Sequence, residues 1–316
     1  MPKNALSNTP TSVALIGNSD LGNSYAKTII NHRPDIHLKY IYPENNNIDH
    51  KNKSKILDIK SILKDPSVKI IILAEQNLQL IKLACEYNKS IFILPPITQS
   101  LNHFYQTKFL LTNTETSYHI PINSKTHTPF QGFKNKIFSQ KEQAEISFIN
   151  ISHQIDNYDN YWATTNLYDI DLIKWLTDSE ISEIYTKQTP KALFIQFALT
   201  NNCLCNLEIT LSHCSNKSHP NIEVQTLDQS YHFSQISEPE HLEQESHFNP
   251  NTQSMHLNQL INNNNIKSIE HVFKLLSIQI AAKQSLKENK PIRISSILSH
   301  FKCAQGSILP INYLDN

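Results

Sequence analysis

The sequence predicts an α/β fold in which a doubly wound parallel sheet is followed by a second, α+β domain. Residues 12 to 96 alternate between short apolar runs and amphipathic runs, the signature of repeated strand and helix units. The strand-like runs are almost continuously apolar, as strands covered on both faces must be. After about Asn123 strand-like runs dominate and only two helix candidates appear. These observations divide the chain into a first domain over 1–123 and a second over 124–316.

Within the first domain SVALIG reads as a buried strand, and NSYAKTIINH as a helix with Ala26, Ile29 and Ile30 on one face. LKYIY is a second strand. KILDIKSILKD places Ile56, Ile59 and Leu63 at helical spacing before the strand VKIIILA, and LQLIKLACEYN and SIFILPP repeat the helix and strand pair. The right-handed crossover rule makes such a series a doubly wound sheet. In the second domain EISFINIS, ALFIQFAL, CNLEITLS and IEVQTLD are strands, with helices at LYDIDLIKWLTD and SIEHVFKLLSIQIAAKQSLKE. The asparagine-rich tracts NNNIDHKNK and INNNNIKS read as polar surface loops.

With 316 residues, 39% hydrophobic and 18% charged, the chain is long enough and apolar enough for two packed domains. Its formal net charge of +0 gives no bulk attraction for nucleic acid or an anionic membrane. The N-terminus MPKNALSNTPTS lacks a secretory apolar region and no run reaches the ~20 apolar residues of a membrane span, so a cytoplasmic protein is expected. Cys203 and Cys205 lie two apart in a strand-like run and share a face. With Cys214 or His213 they offer soft ligands, but the paired spacing of a zinc site is missing, and reduced buried thiols with no metal are expected.

The local motif with chemistry is GNSDLG. The chain has only four glycines, and Gly17 and Gly22 stand at the first and third positions of G-x-G-x-x-G, between a strand and a helix. Gly17 permits the tight turn off the strand; Gly22 permits close helix–strand packing. The middle position, where a glycine lets the backbone approach a pyrophosphate, is Ser19. Serine is small and can donate a hydrogen bond to phosphate, so the change weakens a dinucleotide site without forbidding it. The usual carboxylate at the end of the second strand is displaced: LKYIYPENN offers Glu44, one residue late. Asp20 is compatible with phosphate only if it faces solvent.

Four segments, DPSVKIIILAEQN, LACEYNKSIFILPPITQSL, DNYWATTNLYDIDLIKWLTDSEISEIYT and KQSLKENKPIRIS, together resemble in order and spacing the Gfo/Idh/MocA oxidoreductases. The resemblance implies an N-terminal Rossmann domain that binds NAD or NADP. It also implies a C-terminal domain whose large, mostly antiparallel open sheet joins members into homodimers or homotetramers, and a small-molecule substrate such as a sugar or cyclitol. The cofactor contacts it implies here are Gly17, Asn18, Ser19, Leu21, Gly22, Glu44, Ala74, Asn77 and Pro96.

The chain departs from that family at the catalytic positions. Where the family has Glu-Lys-Pro this sequence has Leu94, Pro95 and Pro96, and a proline exchanges no proton. The family's aspartate and histidine, four apart at a helix start, fall on Thr164 and Tyr168. A phenol with a pKa near ~10 stays protonated at neutral pH, which suits Tyr168 to donating a proton; the other reading is a core tyrosine. Asp169 and Asp171 complement a helix dipole, His153 and Asp156 stand at a strand end and loop, and Lys125 and His127 are further polar candidates at the domain junction. Two functions follow: an oxidoreductase without the family lysine, or a catalytically degenerate relative that binds a ligand or partner.

Overall fold

A computed structural model describes residues 10–43, 58–75, 77–97, 101–122, 124–139, 145–162, 166–212, 220–234, 250–261 and 268–304. The chain forms two compact units, Met1–Pro121 with His247–Ile269, and Ile122–Ser246 with Glu270–Asn316.

In the first unit the order is β1 (Thr11–Ile16), α1 (Asp20–His32), β2 (Ile36–Tyr42), α2 (Ile59–Lys64), β3 (Val68–Leu73), α3 (Leu78–Glu86), β4 (Ser90–Ile93), α4 (Leu101–Thr112) and β5 (Tyr118–His119). The five strands form one sheet in the order β2-β1-β3-β4-β5, every pair parallel. The chain therefore reverses its direction of winding between β1 and β3. In an open parallel sheet that switch point is where a ligand-binding crevice opens, beyond the carboxyl ends of the strands. The apolar runs are buried as their composition demands: Val13, Leu15, Ile70, Ile72 and Phe92 pack with Tyr25, Ala26 and Ile29 of α1.

The second unit contributes a one-turn 3-10 segment (Ser124–Thr126), α5 (Thr128–Phe138), β6 (Ile146–Ile155), the single turn α6 (Tyr158–Asn160), α7 (Asn166–Thr177), β7 (Ile181–Gln188), β8 (Ala192–Leu199), β9 (Leu204–Leu211), β10 (Asn221–Thr226) and β11 (Ser230–Phe233). Helix α8 (Pro250–Ile261) then belongs to the first unit, and α9 (Ser268–Glu288), β12 (Ile292–Arg293) and α10 (Ile294–Ala304) follow. The seven strands run β11-β10-β6-β9-β8-β7-β12, with β6 and β9 parallel and the other pairs antiparallel. On β8 Leu193, Ile195, Phe197 and Leu199 are buried while Phe194 is 45% exposed, so one sheet face is covered and the other open.

A single boundary at 123 misses the return of residues 247–269 to the first unit. Helix α8 packs on α1, where Leu257 and Leu260 enter the core of the parallel domain and Gln253 accepts from Thr28 and donates to Ser24. The Arg33 guanidinium donates to the Ser254 carbonyl. Among the described residues no helix is long and apolar enough to cross a membrane.

Candidate functional site

At the winding switch, Gly17 leaves β1 with φ +106, a left-handed conformation that side chains resist. A Cβ there would lie 2.8 Å from the Ala74 carbonyl carbon and 2.9 Å from the Glu75 amide nitrogen, so the loops after β1 and β3 touch backbone to backbone. Ala74 N–H donates to the Ile16 carbonyl across that contact, and Gly17 N–H donates to the Tyr42 carbonyl at the end of β2, both 2.7 Å. Gly22 meets Ala74 in turn, its missing Cβ falling 2.5 Å from the Ala74 methyl. Both glycines thus have the steric roles their positions in the motif predict, and Ala74 is the surface against which both are required.

Ser19 caps α1, its Oγ accepting from the Gly22 amide at 3.1 Å. One first-turn amide is thereby satisfied, while those of Asp20 and Leu21 meet no acceptor among the described residues. They leave a positive helix end at the carboxyl edge of the sheet. Asp20 is exposed, and Asn18 accepts from the Asn23 side chain at 3.4 Å. Asn77 caps α3 through its side-chain oxygen, 3.2 Å from the Leu80 amide. Pro96 follows Pro95 through a cis peptide just beyond β4. Glu44 lies outside the described residues.

The second unit holds two carboxylate–histidine pairs on α7. Asp169 is buried, with Oδ1 3.0 Å from Nε2 of His153 on β6 and Oδ2 accepting from the Tyr161 hydroxyl at 3.1 Å. Asn166 donates to that hydroxyl at 3.3 Å. Burial, and then the Asp169 charge, push the Tyr161 phenol well above its ordinary pKa. Two residues on, Asp171 accepts from the Ser124 amide at 2.5 Å through Oδ2, and its Oδ1 lies 2.5 Å from Nε2 of His271 in α9. The Asp171 side chain is 5% exposed and the His271 ring 38%. Tyr168, one turn earlier, is half-buried, and burial followed by the Asp171 charge raises its phenol pKa.

The two aspartates therefore do more than complement a helix dipole: each is a buried anion held by a histidine from another element. His153 pairs with Asp169 rather than with Asp156, because alternation on β6 turns it into the unit. His271 had no sequence signal of its own, its partner being 100 residues away. His127 is buried against Phe130, and Lys125 is exposed. Cys203 and Cys205 lie side by side with sulfurs 3.8 Å apart, and no three metal-ligating side chains converge among the described residues. Thr164, His213 and Cys214 are outside the described residues.

No family sequence model and no curated protein matches the chain. Solved structures do. The myo-inositol 2-dehydrogenase of Lactobacillus plantarum superposes with TM-score 0.77 over 90% of this chain and 99% of that one, at 13% identity. The scyllo-inositol dehydrogenase of Lactobacillus casei, solved with NAD(H) and scyllo-inositol, gives 0.71 over 91% and 100%, also at 13% identity. The chain has the fold of the Gfo/Idh/MocA dehydrogenases. GenD2 from gentamicin A biosynthesis, in complex with NAD, shares this dehydrogenase fold at TM-score 0.75 and 9% identity, over 93% of this chain and 99% of that one.

Proposed function

We propose that this chain is an NAD- or NADP-dependent oxidoreductase acting on a small polyol, a sugar or cyclitol, without the lysine that the family resemblance implies. The observation that carries the reading is the cradle at the winding switch. Gly17 and Gly22 are both sterically required against Ala74, and the amides of Asp20 and Leu21 point from a helix end. A dinucleotide pyrophosphate fits that donor set, with Asn18, Ser19 and Leu21 along the loop, Ala74 and Asn77 at the neighbouring strand end, and Pro96 beyond β4. Ser19 costs the site one amide, since its Oγ already occupies Gly22 N–H. When bound, the nicotinamide supplies a hydride acceptor or donor. Tyr168, its phenol kept protonated by burial and by Asp171, donates a hydrogen bond or proton to the substrate oxygen.

The exposed face of the second sheet, with Phe194 45% and Leu204 46% exposed, supports pairing of copies through that sheet as a homodimer or homotetramer. Free thiols at Cys85, Cys203 and Cys205 suit a reducing cytoplasm. Pro95, where the family resemblance implies a lysine, favours the second reading, a catalytically degenerate chain that binds a ligand or an interaction partner without turnover.

Titration with NADH and NADPH, followed by protein fluorescence and by thermal stabilisation, tests the proposal. Saturable binding of either, with turnover of some member of a cyclitol and aldose panel, supports it. Silence toward both cofactors at millimolar concentration sinks it, and binding without turnover transfers the case to the second reading.

A further inference from the structure

Two unpaired carboxylates stand at the helix end of the first unit that the proposed function assigns to a pyrophosphate. Glu75 leaves β3 through the backbone contact with Gly17, and its γ-carbon lies 3.0 Å from where a Gly17 Cβ would be. The carboxyl group is one bond further on, beside the loop that joins β1 to α1. Asp20, the first residue of α1, flanks the same loop. Both side chains are exposed, and neither has an ion-pair or hydrogen-bond partner among the described residues.

Negative charge at this place opposes the phosphates that the Asp20 and Leu21 amides attract. That opposition is common to every dinucleotide and chooses between none of them. The choice comes from position and from the one charge that differs between the two redox forms. We infer that Glu75 is a specificity-determining residue that makes the site take the oxidised dinucleotide in preference to the reduced one. The inference rests on the oxidoreductase reading above and deepens it.

In an open parallel sheet a dinucleotide crosses the switch point with its pyrophosphate at the first helix and its adenosine ribose at the end of the second strand. Here that second strand is β2, on one side of β1, and β3 lies on the other. The nicotinamide half therefore extends over the side that Glu75 occupies. Asp20 belongs to α1, which leads back to β2 and the adenosine side. An oxidised nicotinamide ring carries a positive charge and a reduced ring carries none, so the Glu75 carboxylate attracts the first and gains nothing from the second. Repulsion of the pyrophosphate is equal in both forms and cancels in the ratio of their dissociation constants. In a mixture of the two the site loads the oxidised cofactor.

The fold does not depend on this carboxylate. It is the Glu75 amide nitrogen, 2.9 Å from the position of a Gly17 Cβ, that makes the close backbone approach. Glu75→Gln and Glu75→Lys thus take the side-chain charge from negative through neutral to positive on an unchanged backbone.

Calorimetric titration of the full chain and both variants with NAD and with NADH tests the inference; NADP and NADPH replace them if the chain binds only that pair. The ratio of the Kd of the reduced form to that of the oxidised form should be highest in the wild type and fall about three-fold at each step of charge. The wild-type ratio should also shrink at 1 M salt, which screens an exposed carboxylate. Thermal unfolding without cofactor should be the same for all three proteins. If a variant unfolds early, the salt dependence of the wild-type ratio decides without it. A ratio that stays within two-fold across the series, or a wild-type ratio indifferent to salt, overturns the role of Glu75 and leaves the oxidoreductase reading standing. A wild type that binds neither redox form of either cofactor overturns that reading and this inference with it.

Discussion

Nε2 of His153 lies 3.0 Å from Oδ1 of Asp169, with both side chains buried. The pair ties strand β6 to helix α7 at the point where the chain passes from sheet to helix. Breaking one half of such a pair leaves a buried charge that water no longer solvates. His153→Ala is therefore expected to destabilise the protein by about 3–5 kcal/mol, although Tyr161 still donates to the aspartate. The double variant His153→Leu/Asp169→Leu should recover much of that loss, since it removes the stranded charge. Urea unfolding, read as a shift in midpoint at constant slope, checks both. A small loss in the single variant would show that water reaches Asp169.

Gly22 and Ala74 form a steric pair at the winding switch. Gly22→Ala places a methyl where another stands 2.5 Å away, and overpacking of that kind costs about 1–3 kcal/mol. Ala74→Gly in the same chain removes the opposing methyl and should restore stability and dinucleotide binding together. Gly17→Ala has no such rescue. Its opponents are the backbone of Ala74 and Glu75, and its φ of +106 strains any side chain. Thermal unfolding and NADH titration of the three variants separate these cases.

The parallel domain was legible because its signal is local. SVALIG, VKIIILA and SIFILPP are near-continuous apolar runs, and the two glycines mark the turn whatever lies beyond it. The second sheet was legible as a class, from alternation such as that of ALFIQFAL, but not its strand order, which depends on pairings far apart in sequence. The histidine pairs were invisible for the same reason. Asp169 and His153 stand 16 residues apart, Asp171 and His271 100 apart, and in isolation each is an ordinary polar residue. Helix α8 carried too weak a pattern: PNTQSMHLNQLI has few apolar residues among polar ones, and only the tertiary fold shows which of its faces is covered.

Two histidines buried in the first unit make its stability depend on pH. The rings of His119 and His256 lie 5.9 Å apart, and the Tyr25 hydroxyl is 3.0 Å from His256 Nδ1. Burial pushes His119 down to about 4; burial and then the His119 charge push His256 down to about 3. Both folded values lie below the ordinary 6.5. The unfolded chain thus takes up protons first as pH falls, and stability present in full above 6.5 is lost progressively down to those folded values. Between pH 7.5 and 5 the loss should be about 2 kcal/mol per histidine. His119→Phe should flatten that dependence. Asp65, held low chiefly by Lys39 at 2.7 Å, loses its contribution only below about pH 4, so the two effects occupy separate windows. Urea unfolding across pH 2 to 8 distinguishes them; a wild-type profile flat from 7.5 to 5 would mean the rings are hydrated.

Helix α8 makes the first unit depend on residues more than a hundred positions beyond its last strand. Leu257 and Leu260 are buried in the same cluster as Val13, Tyr25, Ile29 and Phe92, and without them one side of α1 and the sheet loses its cover. Leu257→Ala should cost about 2–5 kcal/mol, the range for a buried leucine whose cavity does not collapse. A fragment ending at Pro121 should fail to unfold cooperatively and should bind a hydrophobic dye, because it exposes the apolar face that α8 covers. Adding a peptide spanning residues 247–269 should restore cooperative unfolding in proportion to its concentration, as ligand binding to the folded state requires. If the fragment alone unfolds in one sharp transition with native-like stability, α8 is an accessory to this domain rather than part of its core.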